Sequence, residues 1–262
     1  MDRRTFSMTL AAGVAGSLLG SEKASAGASV RNVVLVHGLY ADGSSWSECI
    51  VRLQSAGMNV TAVQNSLASF ADDVAATRRA LAMQDGPTVL AAHSYGGMVA
   101  TEAGIASNVT ALVYIAARAP DAGEDYVALA KRFPAPPASA GVVTFGGFTR
   151  LNEDAFLNDF ANGVDPVKAR ELYAVQAPNA ATLSSTAKTT VAAWRTKPTW
   201  YAVSKQDRTI DPDLERFMAA RMKATTIEID AGHLSLVSHA PQVTTLILRA
   251  AESERPLSLP PT

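Results

Sequence analysis

Thr88-Val89-Leu90-Ala91-Ala92-His93-Ser94-Tyr95-Gly96-Gly97-Met98-Val99 is the stretch on which the fold turns. Residues 88–92 are short, apolar and β-branched enough to read as a strand, and residues 95–106 read as a helix. Ser94 sits on the turn between them. A serine on such a strand-to-helix turn is held in strained backbone geometry with its hydroxyl above the sheet. The turn admits only small residues two before and two after it, here Ala92 and Gly96. The helix that begins at once aims backbone N–H groups where an oxyanion would form. An ordinary turn serine is the rival reading, and the flanking strand and helix argue against it.

Outward from this turn the same pattern repeats. Residues 33–36 (Val-Val-Leu-Val) form a mostly β-branched strand ended by His37-Gly38. Residues 45–56 have helical spacing through Trp46, Cys49, Ile50 and Leu53, with Gly57 placed to end the helix. Residues 59–64 read as a strand, 72–84 as a helix with acids in its first turn, and 109–116 as a strand. After a break the alternation resumes with a strand at 199–203 and a helix opened by Asp211-Pro212, a cap followed by proline. A strand at 225–229 and a helix at 241–252 close it. Apolar strands separated by helices imply a parallel sheet covered on both faces.

A serine hydroxyl needs a neighbouring base. His233 follows the last strand across Ala231-Gly232, which puts it at the carboxyl edge of the sheet, where sites form in open α/β folds. His37 and His93 read as structural, and His239, against Ala240-Pro241, as a packing or capping residue. The base in turn needs an acid to hold its tautomer. Asp207 follows the 199–203 strand, again at a carboxyl end. Asp121 is its rival, while Asp211 reads as a helix cap and Asp213 lies in the first helical turn. Backbone N–H groups of Tyr95 and Leu39 are the expected oxyanion donors, with Gly38 allowing close approach.

The order Ser94, Asp207, His233 is that of the α/β-hydrolases, and the motifs resemble that superfamily. Val36-His37-Gly38, Ala92-His93-Ser94-Tyr95-Gly96-Gly97, Gln206-Asp207-Arg208-Thr209-Ile210 and Gly232-His233 are similar to the plant methyl-ester esterase and hydroxynitrile lyase branch and its bacterial esterase relatives. Ala92 stands where glycine is commoner, with small size kept. The resemblance spans residues 33 to about 250 and is weak between 120 and 194. It implies an α/β-hydrolase fold: a mostly parallel sheet, helices on both faces, and a helical cap insertion. Residues 27–119 and 195–262 would form the core and 120–194 the cap. Hydroxynitrile lyases of this type have threonine at the position of Gly38 and lysine at that of Leu234, so the likeness points to hydrolysis. Epoxide hydrolases and haloalkane dehalogenases need aspartate at the elbow, which Ser94 excludes.

The insert is rich in aromatics (Tyr126, Phe133, Phe145, Phe148, Phe156, Phe160, Tyr173), most of which read as cap core. Tyr40 and Trp194 are the better pocket candidates, together with Tyr95. The reading that results is a cofactor-free serine esterase acting on a small ester through an acyl-enzyme. Alternatives on the same triad are lactone or amide hydrolysis, C–C cleavage and perhydrolysis. A non-catalytic small-ligand binding protein is the rival from another class. Monomer and homodimer stay open.

Residues 1–26 read as an address instead of structure. Arg3-Arg4-Thr5-Phe6, a modestly apolar run at 7–19, Lys23 and then Ala24-Ser25-Ala26 resemble a twin-arginine export signal, although Asp2 departs from it. The run is too short for a hydrocarbon core of about 30 Å, so no stable membrane insertion is expected. An ordinary secretory signal or a flexible tail are the other readings. Export implies a periplasmic or secreted protein. The 262-residue chain is 48% hydrophobic and has a net charge of −1, which excludes a disordered chain and a dedicated nucleic-acid binder. Without the first 26 residues the count is 20 basic and 22 acidic. One cysteine, Cys49, excludes an internal disulfide framework and a thiolate zinc cluster, and reads as a buried thiol on a helix. Residues 255–262 read as a frayed, proline-rich tail.

Overall fold

Val33 and Leu35 point to one side of the first strand while Val34 and Val36 point to the other, and all four are fully buried. That alternation, repeated along each central strand, divides the interior into two apolar layers. The computed structural model describes residues 30–253. The expected export signal at 1–26 and the tail at 255–262 lie outside these residues.

In chain order the strands are β1 (Asn32–Val36), β2 (Asn59–Ala62), β3 (Thr88–His93), β4 (Val109–Ile115), β5 (Val142–Phe145), β6 (Phe148–Leu151), β7 (Asn179–Ala180), β8 (Thr199–Ser204) and β9 (Thr225–Ile229). The main sheet runs β2-β1-β3-β4-β8-β9, and each of its strand pairs is parallel. Every carboxyl end therefore emerges at one edge.

The helices are α1 (Ser47–Ser55), α2 (Phe70–Ala82), α3 (Gly96–Ala103), α4 (Tyr126–Ala130), α5 (Glu153–Ala155), α6 (Pro166–Ala174), α7 (Leu183–Thr186), α8 (Pro212–Arg221), α9 (Ser235–Ser238) and α10 (Ala240–Glu252). Val74 and Leu81 of α2, Met98 and Val99 of α3, and Leu214 and Met218 of α8 pack with Val34, Leu90 and Tyr114 on one face. Cys49 and Leu53 of α1 and Val243, Leu246 and Ile247 of α10 pack with Val33, Val89 and Val113 on the other. No helix of the described residues is long and apolar enough to cross a membrane.

Side-chain caps account for where several helices begin. Ser69 accepts the Asp72 N–H, so α2 opens at Phe70, two residues before the expected start. Asp211 accepts the N–H groups of Asp213 and Leu214 and opens α8 as its sequence predicts. The expected helix at 45–56 divides instead: Asp42 caps a 3-10 turn, Gly43–Trp46, before α1 starts.

Between β4 and β8 the chain forms helices and also a small antiparallel sheet, β5-β6-β7. Its hairpin turns at Gly146-Gly147, both with positive φ (54° and 84°), the geometry that matches the twist of paired strands. The helical expectation for this insert overlooked a readable signal. Val142-Val143-Thr144-Phe145 and Phe148-Thr149-Arg150-Leu151 flank a Gly-Gly pair, which is a hairpin pattern.

Candidate active site

Ser94 has φ +53°, a left-handed conformation that costs a non-glycine residue about 1–3 kcal/mol. Three backbone bonds hold it there. Its N–H donates to Ile115 O (3.3 Å), and its carbonyl accepts from Gly97 N–H (3.0 Å) and Arg118 N–H (2.9 Å). Gly96 lies so close to β1 that a Cβ there would be 2.7 Å from the carbonyl oxygens of Val36 and His37. The small residue two after the serine is therefore a packing requirement. Tyr40 (φ +58°) and Ala116 (φ +43°) share the left-handed conformation at the same sheet edge.

His233 Nδ1 and Asp207 Oδ2 are 2.6 Å apart, and neither side chain is exposed. The other carboxylate oxygen, Oδ1, accepts from the N–H groups of Thr209 (2.6 Å) and Ile210 (2.9 Å). These bonds orient the carboxylate, so that Nδ1 carries the ring proton and Nε2 is left as the basic nitrogen. Nε2 is buried and makes no hydrogen bond, so its bond to Ser94 Oγ is not formed in this arrangement. Such bonds are often long before a substrate tightens them.

His93 brings the two halves together. Its Nε2 donates to the carbonyl oxygen of His233 (3.1 Å), and the two rings are 4.6 Å apart. Burial, then the nearby His233, holds its pKa well below the ordinary histidine value, so it is neutral. The structural reading of His93 is correct but incomplete, since it positions the neighbouring histidine.

His37 has a comparable task. Its Nε2 accepts the Asn65 N–H (2.9 Å), so Nδ1 carries the proton and donates to Gly38 O (2.9 Å). Gly38 C=O and Leu39 N–H belong to one trans peptide and point in opposite directions. Anchoring the carbonyl therefore fixes the direction of the Leu39 N–H. Gly38 itself has no room for a side chain: a Cβ would lie 2.6 Å from Ser94 Cβ.

Glu215 escaped the sequence reading. It is fully buried on α8, with Oε2 accepting the Ser204 N–H at 3.0 Å. Oε1 receives no donor. Burial first, then the charge of Asp207 and a hydrogen bond to it, pushes this carboxyl well above the usual range. Glu215 therefore holds its proton more tightly than an exposed glutamate does. The readable signal was a glutamate beside Leu214 on the stripe that continues through Met218 and Ala219.

A cavity of about 530 Å³ lies under the insert, walled by Tyr40, Tyr126, Phe133, Leu151, Ile210 and Leu214 among others. It abuts the Ser94–His233 region through Tyr40, Arg118 and Thr209, but Ser94 and His233 do not line it. Ser94 is 3% exposed. Tyr40 lines this cavity, its ring edge-on to Phe160 at 6.1 Å.

Trp194 is not a wall residue, which corrects its expected place in the pocket. Its Nε1 donates to Pro120 O (3.0 Å), and its ring lies under the guanidinium groups of Arg195 and Arg221. The indole joins the two strands of chain that enter and leave the insert. The Tyr95 side chain is also unavailable, because its hydroxyl donates to Asp73 Oδ2 (2.9 Å) in the core. Asp121 pairs with Arg195 and so does not serve His233. His239 stands immediately before α10, but its side chain makes no capping bond; its Nδ1 lies 2.9 Å from Ser238 Oγ instead.

The insert grips the loop that carries Asp207. Asn162 Nδ2 donates to Gln206 O (2.8 Å), Arg208 Nε to Asp159 Oδ1 (2.6 Å), and Ala138 N–H to Arg208 O (3.0 Å).

Residues 33–245 match the model of the Alpha/beta hydrolase family. Among solved structures, a polyneuridine aldehyde esterase is 20% identical with a TM-score of 0.73, covering 84% of this chain and 98% of that one. A pyrethroid hydrolase from Sphingobium faniae JZ-2 is 15% identical with a TM-score of 0.70, covering 86% and 98%. A methylesterase from Arabidopsis is 16% identical with a TM-score of 0.69, covering 86% and 100%. A search of curated proteins by sequence finds no match. At these identities the structural likeness speaks for the fold alone.

Proposed function

Because this chain belongs to the Alpha/beta hydrolase family, we propose that it is a serine hydrolase that cleaves small carboxylic esters. The observation that carries this reading is the His233–Asp207 bond, formed beside a serine held in the left-handed elbow conformation. The structural neighbours described as esterases lend support.

In this reading Ser94 Oγ attacks the ester carbonyl while His233 Nε2 takes its proton. Asp207 holds the Nδ1–H and stabilises the imidazolium that forms. Backbone N–H groups of Leu39 and Tyr95 hold the tetrahedral oxyanion. His233 then protonates the departing alcohol, and a water deprotonated by the same nitrogen releases the acid. Gly38 and Leu234 favour hydrolysis over lyase chemistry, through the resemblance described above.

Purified protein should hydrolyse p-nitrophenyl butyrate, and Ser94→Ala should abolish the activity. Equal rates in the two proteins would sink the proposal. One observation favours a second reading, a binding protein without turnover: His233 Nε2 makes no bond to Ser94. A fluorophosphonate probe separates the two, because only an activated Ser94 is labelled in the folded protein.

Export belongs to the same proposal and is supported by the sequence of residues 1–26. Replacing Arg3 and Arg4 with lysines should retain the protein in the cytoplasm of a fractionated host.

A further inference from the structure

Arg118 lines the cavity under the insert and, unlike Arg195, Arg208, Arg216 and Arg221, is in no ion pair among the described residues. Arg195 pairs with Asp121, Arg208 with Asp159, Arg216 with Asp213 and Glu228, and Arg221 with Glu124. Among the described residues no carboxylate lies within salt-bridge distance of Arg118. Its Nε is buried and has no hydrogen-bond partner. One face of the guanidinium rests on the Tyr126 ring, 4.9 Å from its centre.

The position of this cation is as informative as its lack of a partner. Arg118 follows β4, and its backbone N–H donates to the carbonyl of Ser94, so it is tied directly to the elbow. Its side chain lines the cavity under the insert. Lys131 adds a second positive charge to the wall. Asp211 also lines the cavity, but its Oδ1 already accepts from the Asp213 and Leu214 N–H groups.

A guanidinium does not lose its proton in proteins, so the charge cannot be relieved by titration. A buried donor without an acceptor carries a desolvation cost. The charge is compensated when an anion enters the cavity, and a carboxylate is the group that fits the two terminal N–H groups of the fork with parallel bonds.

We propose that Arg118 is the anchor for a carboxylate on the substrate, so that the preferred esters are those bearing a free acid group, such as half-esters of short dicarboxylic acids. The stacked Tyr126 ring holds the fork in place, and the apolar remainder of the cavity accepts the chain between carboxylate and ester.

This inference rests on the esterase reading for its kinetic form but not for its binding form, and the experiment keeps the two apart. Affinities of Ser94→Ala protein for monoethyl glutarate and diethyl glutarate are measured by titration calorimetry. The half-ester should bind at least tenfold tighter. Arg118→Gln in the same background should erase that preference, and Arg118→Lys should keep part of it. Equal affinities, or a preference untouched by Arg118→Gln, would overturn the inference.

With Ser94 intact, the ratio of kcat/KM for p-nitrophenyl hemiglutarate over p-nitrophenyl butyrate should fall at least tenfold in Arg118→Gln. If butyrate is cleaved and the ratio does not move, the carboxylate anchor fails and the esterase reading survives. If the binding preference holds but neither ester is cleaved, the anchor survives and the esterase reading fails.

Discussion

His93 Nε2 donates a hydrogen bond to the carbonyl oxygen of His233, and the two imidazoles lie 4.6 Å apart. Residues 140 positions apart in the chain are thereby joined where β3 ends and the loop after β9 begins. The bond requires a neutral His93 with its proton on Nε2, which burial enforces. His93→Phe should leave the His233 carbonyl unpaired at a cost of about 1–3 kcal/mol in stability. Turnover should fall through kcat more than KM, while His93→Gln, which keeps a donor, should recover part of it. Steady-state kinetics with thermal melts would check this, and a pure KM effect would contradict a positioning role.

Burial also lowers the proton affinity of His37 and His93 in the folded state. The unfolded chain then binds more protons than the native one once the pH falls below the ordinary histidine value of about 6.5. Stability from these two groups is present above that value and is lost as the pH falls through it. His93→Gln should show a shallower decline in melting temperature between pH 7 and pH 5 than the parent protein.

Asp207 should be needed for tautomer control. Asp207→Asn preserves the shape but replaces the acceptor facing His233 Nδ1 with a group that can donate. A loss of about 10⁴ in kcat is expected from the wrong ring tautomer. Esterase assays at fixed pH would measure it, and a loss under tenfold would indicate that another acid serves the histidine.

Gly38→Ala is a test of the close approach at the elbow. The new Cβ would lie 2.6 Å from Ser94 Cβ, which is not the free end of a flexible side chain, so the loop or the elbow must move. Displacing the Leu39 N–H should cost about 10²–10³ in kcat, the scale of a lost oxyanion donor. Circular dichroism should show the fold retained. Activity within threefold of the parent would mean that the contact is not rigid.

Glu215 should make the fold less stable as the pH rises. Its folded-state carboxyl binds a proton more tightly than in the unfolded chain, so stability is greatest below the ordinary glutamate range. It is lost progressively as the pH climbs toward the raised value. Glu215→Gln keeps an acceptor for Ser204 N–H and a donor for Asp207, but it cannot ionise. The melting temperature of this variant relative to the parent should therefore increase from pH 5 to pH 8. A constant difference would show that Glu215 is not protonated at Asp207.

Cys49 should be inert in the folded protein. It is fully buried, its Sγ donates to Leu236 O at 3.3 Å, and burial pushes its pKa up to about 12. Thiolate is the reactive form, so a colorimetric disulfide reagent at pH 8 should titrate no thiol until denaturant is added.

Much of this arrangement was legible residue by residue. The β-branched runs and the Asp211-Pro212 helix start announce themselves within a few positions, because period and capping are local properties; the Ser69 cap is just as local, yet the expected start at residue 72 overlooks it. The Gly146-Gly147 hairpin was equally local and was passed over in favour of helices. Trp194 was different. Nothing near it in the chain shows that Pro120, 74 residues earlier, accepts its indole proton.

The sequence by itself determined the parallel α/β architecture, the elbow at Ser94 and the placing of Asp207 and His233 at strand carboxyl ends. Those features follow from spacings shorter than one strand and one helix. Only the tertiary structure decided that Asp121 is spent on Arg195, that buried Glu215 lies behind Asp207, that His93 holds His233, and that Arg118 lines a cavity with no carboxylate paired to it. Each of these depends on which side chains the sheet order β3-β4-β8-β9 makes neighbours. A carboxylate or a guanidinium has the same local signature whether it is paired or not. Its partner, and with it the chemistry open to it, is set by packing between segments distant in the chain.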